Sequence, residues 1–466
     1  MKKGDILEGQ IIRCDYPGKG ILPVDGREVK VKGVLPGQKV RVRIKKKNAS
    51  SCEGMLLEIL EPSDTEIPGD CPHFPDCGGC QFRTLPYERQ TEMKSEQIRR
   101  LLEDALEDAP LDWYEGIRKS PVETGYRNKM EFTFGDEYKG GPLSLGLHKK
   151  GSFYDIVNVE SCRIVDEDIR KIRSAVLDAA AGTALPYYHR LTHEGYFRHL
   201  LVRKARATGQ ILVDLVTTTQ HPEGGAAAGD ISDGEVDRIL VDALGALSLE
   251  GTITGVLHTY NDSVADAVRS DRTDLLSGCG WIEEELLGLS FRITPFSFFQ
   301  TNSAGAEVLY ETVREYIGET DDRVIFDLYS GTGTIAQILA PVAKHVTGVE
   351  IVPEAVEAAI GNARKNGLAN CSFICGDVLK VIDDLQEKPD LIVLDPPREG
   401  IHPKAMPKIL GFHVNRIVYI SCKATSLKRD LAALQEAGYR VRRCCTVDLF
   451  PGTAHCEVIC LLTRNG

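Results

Sequence analysis

The sequence predicts an α/β protein with two β-rich parts ahead of its α/β part. From about residue 291 onward, short apolar runs typical of strands alternate with longer runs typical of helices, and this alternation indicates a doubly wound parallel sheet. Residues 4–61 instead alternate apolar and polar residues between Gly, Pro and Asp, as in a small barrel of the OB type. Strand-like runs also dominate residues 122–290. A chain of 466 residues has room for all three parts.

We therefore divide the chain into four segments. Residues 1–61 form the OB-like β-barrel, and residues 62–83 together with 122–290 form a β-rich central domain. Residues 84–121 form a helical segment, because apolar residues recur there at helical spacing among charges. We expect this segment to pack on the last domain. Residues 291–466 form that domain, an α/β unit with a Rossmann-like sheet.

The barrel is predicted to be basic on one face. Its clearest strand, Lys39–Lys47, places Val40, Val42 and Ile44 on one side and Arg41, Arg43 and Lys45 on the other. The chain has a net charge of −12, yet residues 1–61 carry thirteen Lys and Arg against eight Asp and Glu. A basic module on an acidic body indicates a nucleic-acid platform. A solvated strand face is the alternative.

A glycine-rich turn follows the first strand of the α/β part. Gly331 and Gly333, within Phe326–Thr334, let the backbone turn tightly and approach a ligand. Glu350 ends the next strand, where a carboxylate can accept hydrogen bonds from both ribose hydroxyls of a nucleotide. NAD and S-adenosylmethionine both fit this layout. Ala336 stands where the pyrophosphate fingerprint has its third glycine, which favours a cofactor without a pyrophosphate.

Other polar residues follow later strands of the same part. Asp377 follows the third strand, where it can meet an adenine edge, and Asp395 follows the fourth, at the ligand-binding edge of such sheets. Cys422 ends the next strand, and Glu457 follows further on. A thiol and a carboxylate beside a nucleotide cofactor are what methylation of a pyrimidine ring carbon requires. The alternatives are a turn residue for Asp395, a buried strand-end cysteine and an edge-strand carboxylate.

Three stretches of the α/β part resemble motifs of the RNA uracil-5 methyltransferase family. Asp395–Gly400, followed after sixteen residues by Ile417–Thr425, is similar to the first signature of that family. Asp448–Glu457 is similar to the second signature, and Phe296–Asn302 resembles a further motif. The resemblance covers nearly the whole chain.

The resemblance implies that S-adenosylmethionine is the cofactor and that Cys422 and Glu457 are catalytic. Addition of the Cys422 thiolate to uracil C6 would make C5 nucleophilic toward the methyl group, and Glu457 would then remove the C5 proton. Phe298 would stack on a base extruded from the RNA, while core packing is the alternative for Phe296 and Phe299. The residues implied to line the cofactor site, beside Gly331 and Gly333, are Gln300, Tyr329, Thr334, Glu350, Asp377 and Asp395.

Three residues depart from the family pattern. Lys423 stands where the residue after the nucleophile is usually Asn, Gly452 replaces a larger polar or aromatic residue, and Cys456 replaces an apolar one. Because a free cysteine has a pKa of about 8.5, we expect the site to lower the pKa of Cys422, with Lys423 as a possible helper.

Four cysteines form a second group of candidate ligands. Cys71, Cys77 and Cys80 lie within ten residues, with glycines that let the loop fold around an inorganic core, and Cys162 would supply a fourth thiolate. Four thiolates suit zinc or an iron–sulfur cluster, and the spacing alone does not decide between them. The resemblance implies a [4Fe–4S] cluster, which the ribosomal-RNA branch of the family carries on this spacing. A structural or RNA-binding role then follows.

The substrate implied by the resemblance is 23S ribosomal RNA. Residues 1–61 resemble a TRAM domain, an RNA-binding barrel, and the barrel and cluster together favour the ribosomal branch over the transfer-RNA branch, which lacks both by resemblance. Two basic stretches, 126–129 and 198–206, are candidates for contacts with RNA phosphates. Three alternatives stay open: a transfer-RNA uracil-5 enzyme, an RNA cytosine-5 enzyme, and an RNA-binding or ribosome assembly factor whose catalytic site has decayed.

The sequence also predicts where the protein acts. Met1–Asp5 is not followed by an apolar run, and the chain has no stretch of eighteen apolar residues. We therefore expect no signal peptide, no membrane contact and a cytoplasmic location. We further expect a monomer that does not act on DNA.

Overall fold

The computed structural model describes residues 1–47, 52–221, 231–265, 269–381, 383, 385 and 387–464. The first part is a curled six-stranded sheet with the strand order β1-β5-β6-β4-β3-β2, in which only β4 and β6 pair in parallel. Its strands are β1 (Ile6–Gln10), β2 (Arg13–Asp15), β3 (Lys19–Val24), β4 (Arg27–Lys32), β5 (Lys39–Lys47) and β6 (Cys52–Glu61).

The alternation predicted for β5 is confirmed, and its apolar face lies in the barrel core. The basic face is partly neutralised by other barrel residues. Arg41 forms ion pairs with Glu8 (2.7 Å) and Glu58, and Lys39 forms one with Glu61 (2.6 Å). Exposed pairs of this kind contribute little stability, and they reduce the positive charge that this face offers to a nucleic acid.

A helix and a strand connect the barrel to the other parts. Helix α1 (Tyr87–Glu103) packs against the core of the last part through Ile98 and Leu102, which are fully buried. Strand β7 (Tyr114–Arg118) pairs in parallel with a strand near the chain's end, so it forms an edge of the catalytic sheet. The sequence indicated the helix and missed the strand, because its partner lies more than 300 residues away.

The central part is a seven-stranded sheet that is antiparallel except for one parallel pair, β12 with β13. Two helices cover one face and share a core with it. The elements are β8 (Lys129–Asp136), β9 (Leu143–His148), β10 (Ile156–Val157), α2 (Glu167–Gly182), β11 (Phe197–Lys204), β12 (Gln210–Thr217), α3 (Asp233–Gly245), β13 (Thr252–Tyr260) and β14 (Arg272–Gly278).

One expectation about this sheet is wrong. Arg198 and Arg203, in the stretch predicted to contact RNA phosphates, are 3% and 1% exposed. Both guanidinium groups donate to backbone carbonyls inside the protein, Arg198 to Asn261 and Arg203 to Pro295. A basic residue on a strand faces either solvent or the interior. Here the side chains of Arg198 and Arg203 face the interior, where they hold loops by hydrogen bonds.

A short hairpin and a helix lead into the last part. The hairpin consists of β15 (Ile282–Leu286) and β16 (Leu289–Ile293), and the helix is α4 (Ser303–Ile317). Asn302 caps the helix, because its side-chain oxygen accepts a hydrogen bond from the backbone N–H of Gly305 at 3.0 Å. The loop between β16 and α4 contains the motif Phe296–Asn302.

The last part is an eight-stranded sheet with the order β19-β18-β17-β20-β21-β23-β22-β7. The strands from β19 to β21 in that order are parallel, and β23 inserts antiparallel between β21 and β22. The elements are β17 (Val324–Leu328), α5 (Thr334–Leu339), a 3₁₀ turn (Ala340–Val342), β18 (His345–Glu350), α6 (Pro353–Lys365), β19 (Cys371–Cys375), α7 (Val378–Val381), β20 (Leu391–Leu394), α8 (Met406–Leu410), β21 (Arg416–Ser421), α9 (Ala424–Glu436), β22 (Tyr439–Val447) and β23 (Glu457–Arg464).

This topology confirms the predicted fold class. The strand order reverses between β17 and β20, so the loops after these strands open a crevice at the carboxyl edge of the sheet, where ligands of such folds bind. Apolar residues of both sheet faces form two separate cores, one of them against α4 and the other against α1 and α9. Among the described residues, no helix is long and apolar enough to cross a membrane.

Candidate active site

The loop after β17 forms one wall of the crevice. Gly331 and Gly333 have φ angles of +54° and +72°, a backbone region that favours glycine. A side chain at Gly333 would place its Cβ 2.4 Å from the ring of Phe373, so this glycine also permits close packing of α5 on the sheet. Thr334 is buried at the start of α5. Tyr329, with φ +71°, precedes the turn.

Glu350 organises this wall from the end of β18. Its Oε2 atom accepts a hydrogen bond from the backbone N–H of Gly331, and its Oε1 atom accepts two from Ile351 and Val352, all at 2.9 Å. Asp377 lies beside it, because the N–H of Gly376 donates to the carbonyl of Glu350 at 2.8 Å. The structure therefore brings together most of the residues predicted for the cofactor.

The motif Phe296–Asn302 lies against the same loop. The hydroxyl of Thr332 donates to the Phe298 carbonyl at 3.2 Å, and the Asn128 side chain donates to the Gln300 carbonyl at 2.9 Å. Arg203 donates to the carbonyls of Pro295 (3.0 Å) and Ser297. Residues of the central sheet thus fix the backbone of the motif beside the crevice.

The aromatic residues of this motif have different environments. Phe299 is 5% exposed and packs against Phe291, with the ring centroids 6.0 Å apart. Phe296 is 38% exposed and Phe298 is 66% exposed. The core alternative therefore holds for Phe299, whereas the ring of Phe298 stands free of the core next to the glycine turn.

The thiol and the carboxylates lie on the opposite side of the crevice. Ser421 at the end of β21 is paired with Val458 in β23, so Cys422 and Glu457 are the next residues beyond this pair on the two adjacent antiparallel segments. Asp395 follows β20, which is the neighbour of β21. Cys422 is half-buried and Glu457 is 4% exposed.

The electrostatics of Cys422 differ from the expectation. Burial, together with the nearby carboxylates Glu457 and Asp395, raises the pKa of Cys422 to about 11, although the charge and hydrogen bond of Arg398 oppose the rise. The predicted lowering of this pKa is therefore wrong for the protein without substrate. Lys423 is exposed at the N-terminus of α9, so Arg398 rather than Lys423 is the cation that favours the thiolate.

Two carboxyl groups at this edge have pKa values close to neutral pH. Burial and the charge of Asp395 raise the pKa of Glu457 to about 8, and burial raises that of Asp395 to about 7. Asp327, one strand away, accepts a hydrogen bond from the N–H of Ala336 at 2.9 Å, and burial raises its pKa to about 8. A group with a pKa near 8 can take and release a proton near neutral pH.

The segment before Glu457, residues Asp448–Cys456, is here called the catalytic loop. Lys94 of α1 binds it through a buried ion pair with Asp448 at 2.7 Å, in which both side chains are at most 1% exposed. The same ammonium group donates to the carbonyls of Phe450 (3.1 Å) and His455 (3.2 Å). The sequence did not point to Lys94. This residue lies 354 residues from its partner, and its own helix has the charged residues of an ordinary surface helix.

The barrel also reaches this edge. Tyr16, in the loop after β2, packs against the core of the catalytic sheet. Burial together with Cys456, Cys422 and Glu457 raises its pKa, and the backbone N–H of Ala424 opposes the rise. A side chain at the neighbouring Gly18 would meet Ala454 of the catalytic loop at 3.3 Å. No motif pointed to this contact.

The four cysteines predicted as ligands line one small cavity. Cys71, Cys77, Cys80 and Cys162 line it, and all four are free thiols. Within the described ranges, no three His, Cys, Asp or Glu side chains are arranged to hold a metal ion. Four thiols that line one space have the chemistry of zinc or iron–sulfur ligands, although their arrangement in the described residues is not that of a metal site.

The fold and the site together define a class of protein: a Rossmann-like methyltransferase whose crevice presents a thiol and a carboxylate. Residues 281–465 match the family model described as tRNA (Uracil-5-)-methyltransferase. An uncharacterized RNA methyltransferase of Caldanaerobacter subterraneus subsp. tengcongensis is 44% identical over all of both chains, and one of Clostridium tetani is 45% identical over 100% of this chain and 99% of its own.

The chain belongs to this family of RNA uracil-5 methyltransferases. A solved structure supports the fold: the tRNA (uracil-54, C5)-methyltransferase of Pyrococcus abyssi, in complex with S-adenosyl-L-homocysteine, aligns with a TM-score of 0.74 and 23% identity. The alignment covers 98% of this chain and 100% of that one, so it includes the barrel and the central part.

Proposed function

We propose that the protein transfers a methyl group from S-adenosylmethionine to C5 of a uridine in 23S ribosomal RNA. The observation that carries the proposal is the position of Cys422 and Glu457 as neighbours at the ends of β21 and β23, beside the crevice. One group can attack the ring and the other can remove a proton from the same ring.

Cys422 is the nucleophile in this proposal. Its thiolate adds to C6 of the uracil, so an S–C6 bond forms and the C5–C6 double bond becomes an enolate. Arg398 supports the thiolate by its positive charge and hydrogen bond. Carbon C5 then takes the methyl group, which S-adenosylmethionine supplies when it is bound.

Glu457 is the base that completes the reaction. Its carboxylate takes the proton from C5, the C5–C6 double bond forms again and the Cys422 sulfur leaves C6 as thiolate. The pKa of Glu457, about 8, suits this task, because the group is a stronger proton acceptor than an ordinary carboxylate. The neighbouring Asp395 faces the same edge and contributes to that raised value.

The cofactor is assigned to the opposite wall of the crevice. The glycine turn and Glu350 suit the ribose and the amino acid end of S-adenosylmethionine, since Gly331 and Gly333 let the backbone approach a ligand and Glu350 places a carboxylate at the end of β18. Asp377 is assigned to the adenine, and the residues assigned to the remaining contacts are Gln300, Tyr329, Thr334 and Asp395. Phe298, exposed beside this turn, is assigned to stacking on the extruded base.

The choice of ribosomal RNA rests on the four cysteines. We assign a [4Fe–4S] cluster to Cys71, Cys77, Cys80 and Cys162, where four thiolates would hold it in a structural role. Transfer RNA is a second candidate substrate, and one observation favours it. The tRNA methyltransferase of Pyrococcus abyssi aligns over 98% of this chain, so the presence of an N-terminal barrel does not separate the two substrates.

The test is a methylation assay with two RNAs. Anaerobically purified protein is incubated with labelled S-adenosylmethionine and either unmodified 23S RNA or unmodified transfer RNA, and the nucleosides are then separated. Labelled 5-methyluridine in 23S RNA supports the proposal. Label that is found only in transfer RNA would show that transfer RNA is the substrate. Cys422→Ala should lose the activity, whereas Cys279→Ala, at a half-buried cysteine next to β14, should keep it. Binding of RNA without methylation would instead favour an assembly factor.

A further inference from the structure

The catalytic loop is held partly by its own hydrogen bonds and partly by bonds from other segments of the chain. Between Asp448 and Cys456 the chain forms turns and bends without helix or strand, yet most of its residues are buried. A buried backbone must have its polar groups bonded. Within the loop, the N–H of Thr453 donates to the carbonyl of Phe450 at 3.1 Å. Several further partners come from elsewhere in the chain.

The segment directly after Cys80 supplies three of these bonds. The backbone N–H groups of Gln81 and Phe82 both donate to the carbonyl of Gly452 at 2.9 Å. The side-chain oxygen of Gln81 accepts a hydrogen bond from the N–H of Ala454 at 3.0 Å. A dipeptide next to a thiol of the cysteine cavity is therefore bonded to both sides of the turn at Gly452.

Gly452 is required for this approach. Its φ angle is +80°, and a Cβ atom there would lie 3.0 Å from Cδ of Arg83 and 3.8 Å from the sulfur of Cys80. On the other side, Gln90 of α1 accepts a hydrogen bond from the N–H of Gly452 at 2.7 Å. The departure from the family pattern at this position thus has a structural reason: the cysteine segment packs directly on the loop.

The ring of Phe82 anchors the dipeptide. It is 2% exposed and forms a small apolar cluster with Leu35, Leu85 and Ala454. A Cβ atom at Gly18 would lie 3.2 Å from this ring. The ring therefore fills the junction between the barrel and the catalytic loop, and the dipeptide cannot shift without disturbing both.

We propose that Gln81 and Phe82 are positioning residues for methyl transfer, which fix the catalytic loop and through it Glu457, and that the thiols of the cysteine cavity hold this dipeptide in place. The proposal rests on the proposed function, since Glu457 has its role there. Only a few steps separate the cysteine cavity from Glu457. Cys80 is followed by the dipeptide, and the dipeptide is bonded to Gly452 and Ala454. Glu457 then follows three residues after Ala454.

The experiment compares three glutamine variants. Gln81→Met removes the acceptor for Ala454 at similar size, and Gln81→Glu keeps an acceptor. Gln210→Met is the matched control, because the Gln210 side chain accepts the same kind of bond from the N–H of Glu283 at 2.8 Å, away from the catalytic loop. The measurements are amide hydrogen exchange of the peptide spanning residues 448–457 in the protein without RNA, and kcat and KM for methylation.

Gln81→Met should speed exchange in that peptide and lower kcat, each by up to about tenfold, the factor that corresponds to the net value of one hydrogen bond, with KM unchanged. Gln81→Glu should restore both values, and Gln210→Met should change neither. Unchanged exchange in Gln81→Met, or equal effects in the control, would overturn the role of Gln81. Because exchange needs no RNA, a protein that fails to methylate would overturn the proposed function and leave this result standing.

The contribution of the cavity is tested with Cys162→Ala. Cys162 lines the cavity and is far in sequence from the dipeptide. It can act on the catalytic loop through the cavity or through Tyr126 of the same core, whose hydroxyl donates to the carbonyl of Pro451 at 3.0 Å, so Tyr126→Phe is measured beside it. Exchange in residues 448–457 should become several times faster than in the Cys279→Ala control. Exchange equal to that of the control would overturn the coupling between the cavity and the loop.

Discussion

The two walls of the crevice are held by different kinds of contact. The glycine turn of the cofactor wall is held locally: Glu350 accepts hydrogen bonds from the N–H groups of Gly331, Ile351 and Val352, all within about twenty residues of sequence. The catalytic loop on the other wall is held by residues from the barrel, the cysteine segment and α1, more than 300 residues away. A short motif can therefore form the glycine turn, whereas the position of Glu457, the proposed base, depends on contacts across the whole chain.

The largest effect is expected from Glu457, the proposed base. Glu457→Gln keeps the shape of the side chain but cannot take a proton, so turnover should fall by about 10²–10⁴-fold. Since the C5 proton then stays, the bond between Cys422 and the RNA should persist, and denaturing gels should show a protein–RNA adduct. Free product formation at the wild-type rate would show that another group is the base.

The pH dependence of the wild-type methylation rate tests the same proposed role of Glu457. Glu457 accepts a proton only when it is ionised, and its pKa is about 8. Single-turnover rates of the wild-type protein should rise steeply with pH up to about 8, where both Glu457 and Cys422 gain their ionised forms, and less steeply above it, where only Cys422 still ionises. Glu457→Gln should lose the change of slope near pH 8 and keep the rise that comes from Cys422. A wild-type rate that is independent of pH between 6 and 8 would contradict the assignment.

The next largest effect is expected at the buried ion pair between Lys94 and Asp448, which anchors the catalytic loop. Lys94→Met leaves Asp448 as an uncompensated buried charge, which should reduce the free energy of unfolding by about 3–5 kcal/mol. Arg89→Met removes a pair with Glu92 on the same helix, where both side chains are more than half exposed, and should cost less than about 1 kcal/mol. Denaturant titration measures both. Equal losses would mean that Lys94 is not a special anchor.

A change in the local wall should have a smaller and more specific effect. Gly333→Ala places a Cβ against the ring of Phe373 and strains a backbone with φ +72°, at a cost of about 1–3 kcal/mol. We expect weaker binding of S-adenosylmethionine by calorimetry and unchanged exchange in the catalytic loop. Gly361→Ala, with open space around its Cβ position, is the control. Faster exchange in residues 448–457 would contradict the separation of the two walls.

The smallest effect concerns the thiolate. Arg398 opposes the rise in the pKa of Cys422, so Arg398→Met should raise that pKa further. Because Arg398 is exposed, water screens its charge and alkylation of Cys422 at pH 8 should slow by only about threefold. Peptide mass spectrometry after iodoacetamide treatment measures this rate. Lys423→Asn should leave it unchanged, and an equal effect there would assign the cation to Lys423.

This contrast also explains what the sequence could predict. The fold class and the cofactor turn depend on periodicity and on nearby residues, and both follow from short stretches such as Phe326–Thr334. The position of Cys422 beside Glu457 was implied by the resemblance. Lys94 and Tyr16 were missed, because a contact over hundreds of residues leaves no local pattern. The pKa of Cys422 was expected in the wrong direction, because burial and two carboxylates outweigh one exposed cation.

The insertion of β23 between β21 and β22 has a consequence for any fragment of the protein. Cys422 follows β21, and Glu457 begins β23, the last strand that the structure describes. A fragment that ends before Glu457 keeps the thiol without the carboxylate and leaves β21 and β22 without the strand that pairs with both. Neither the sheet nor the proposed pair of catalytic groups is complete until β23 is in place.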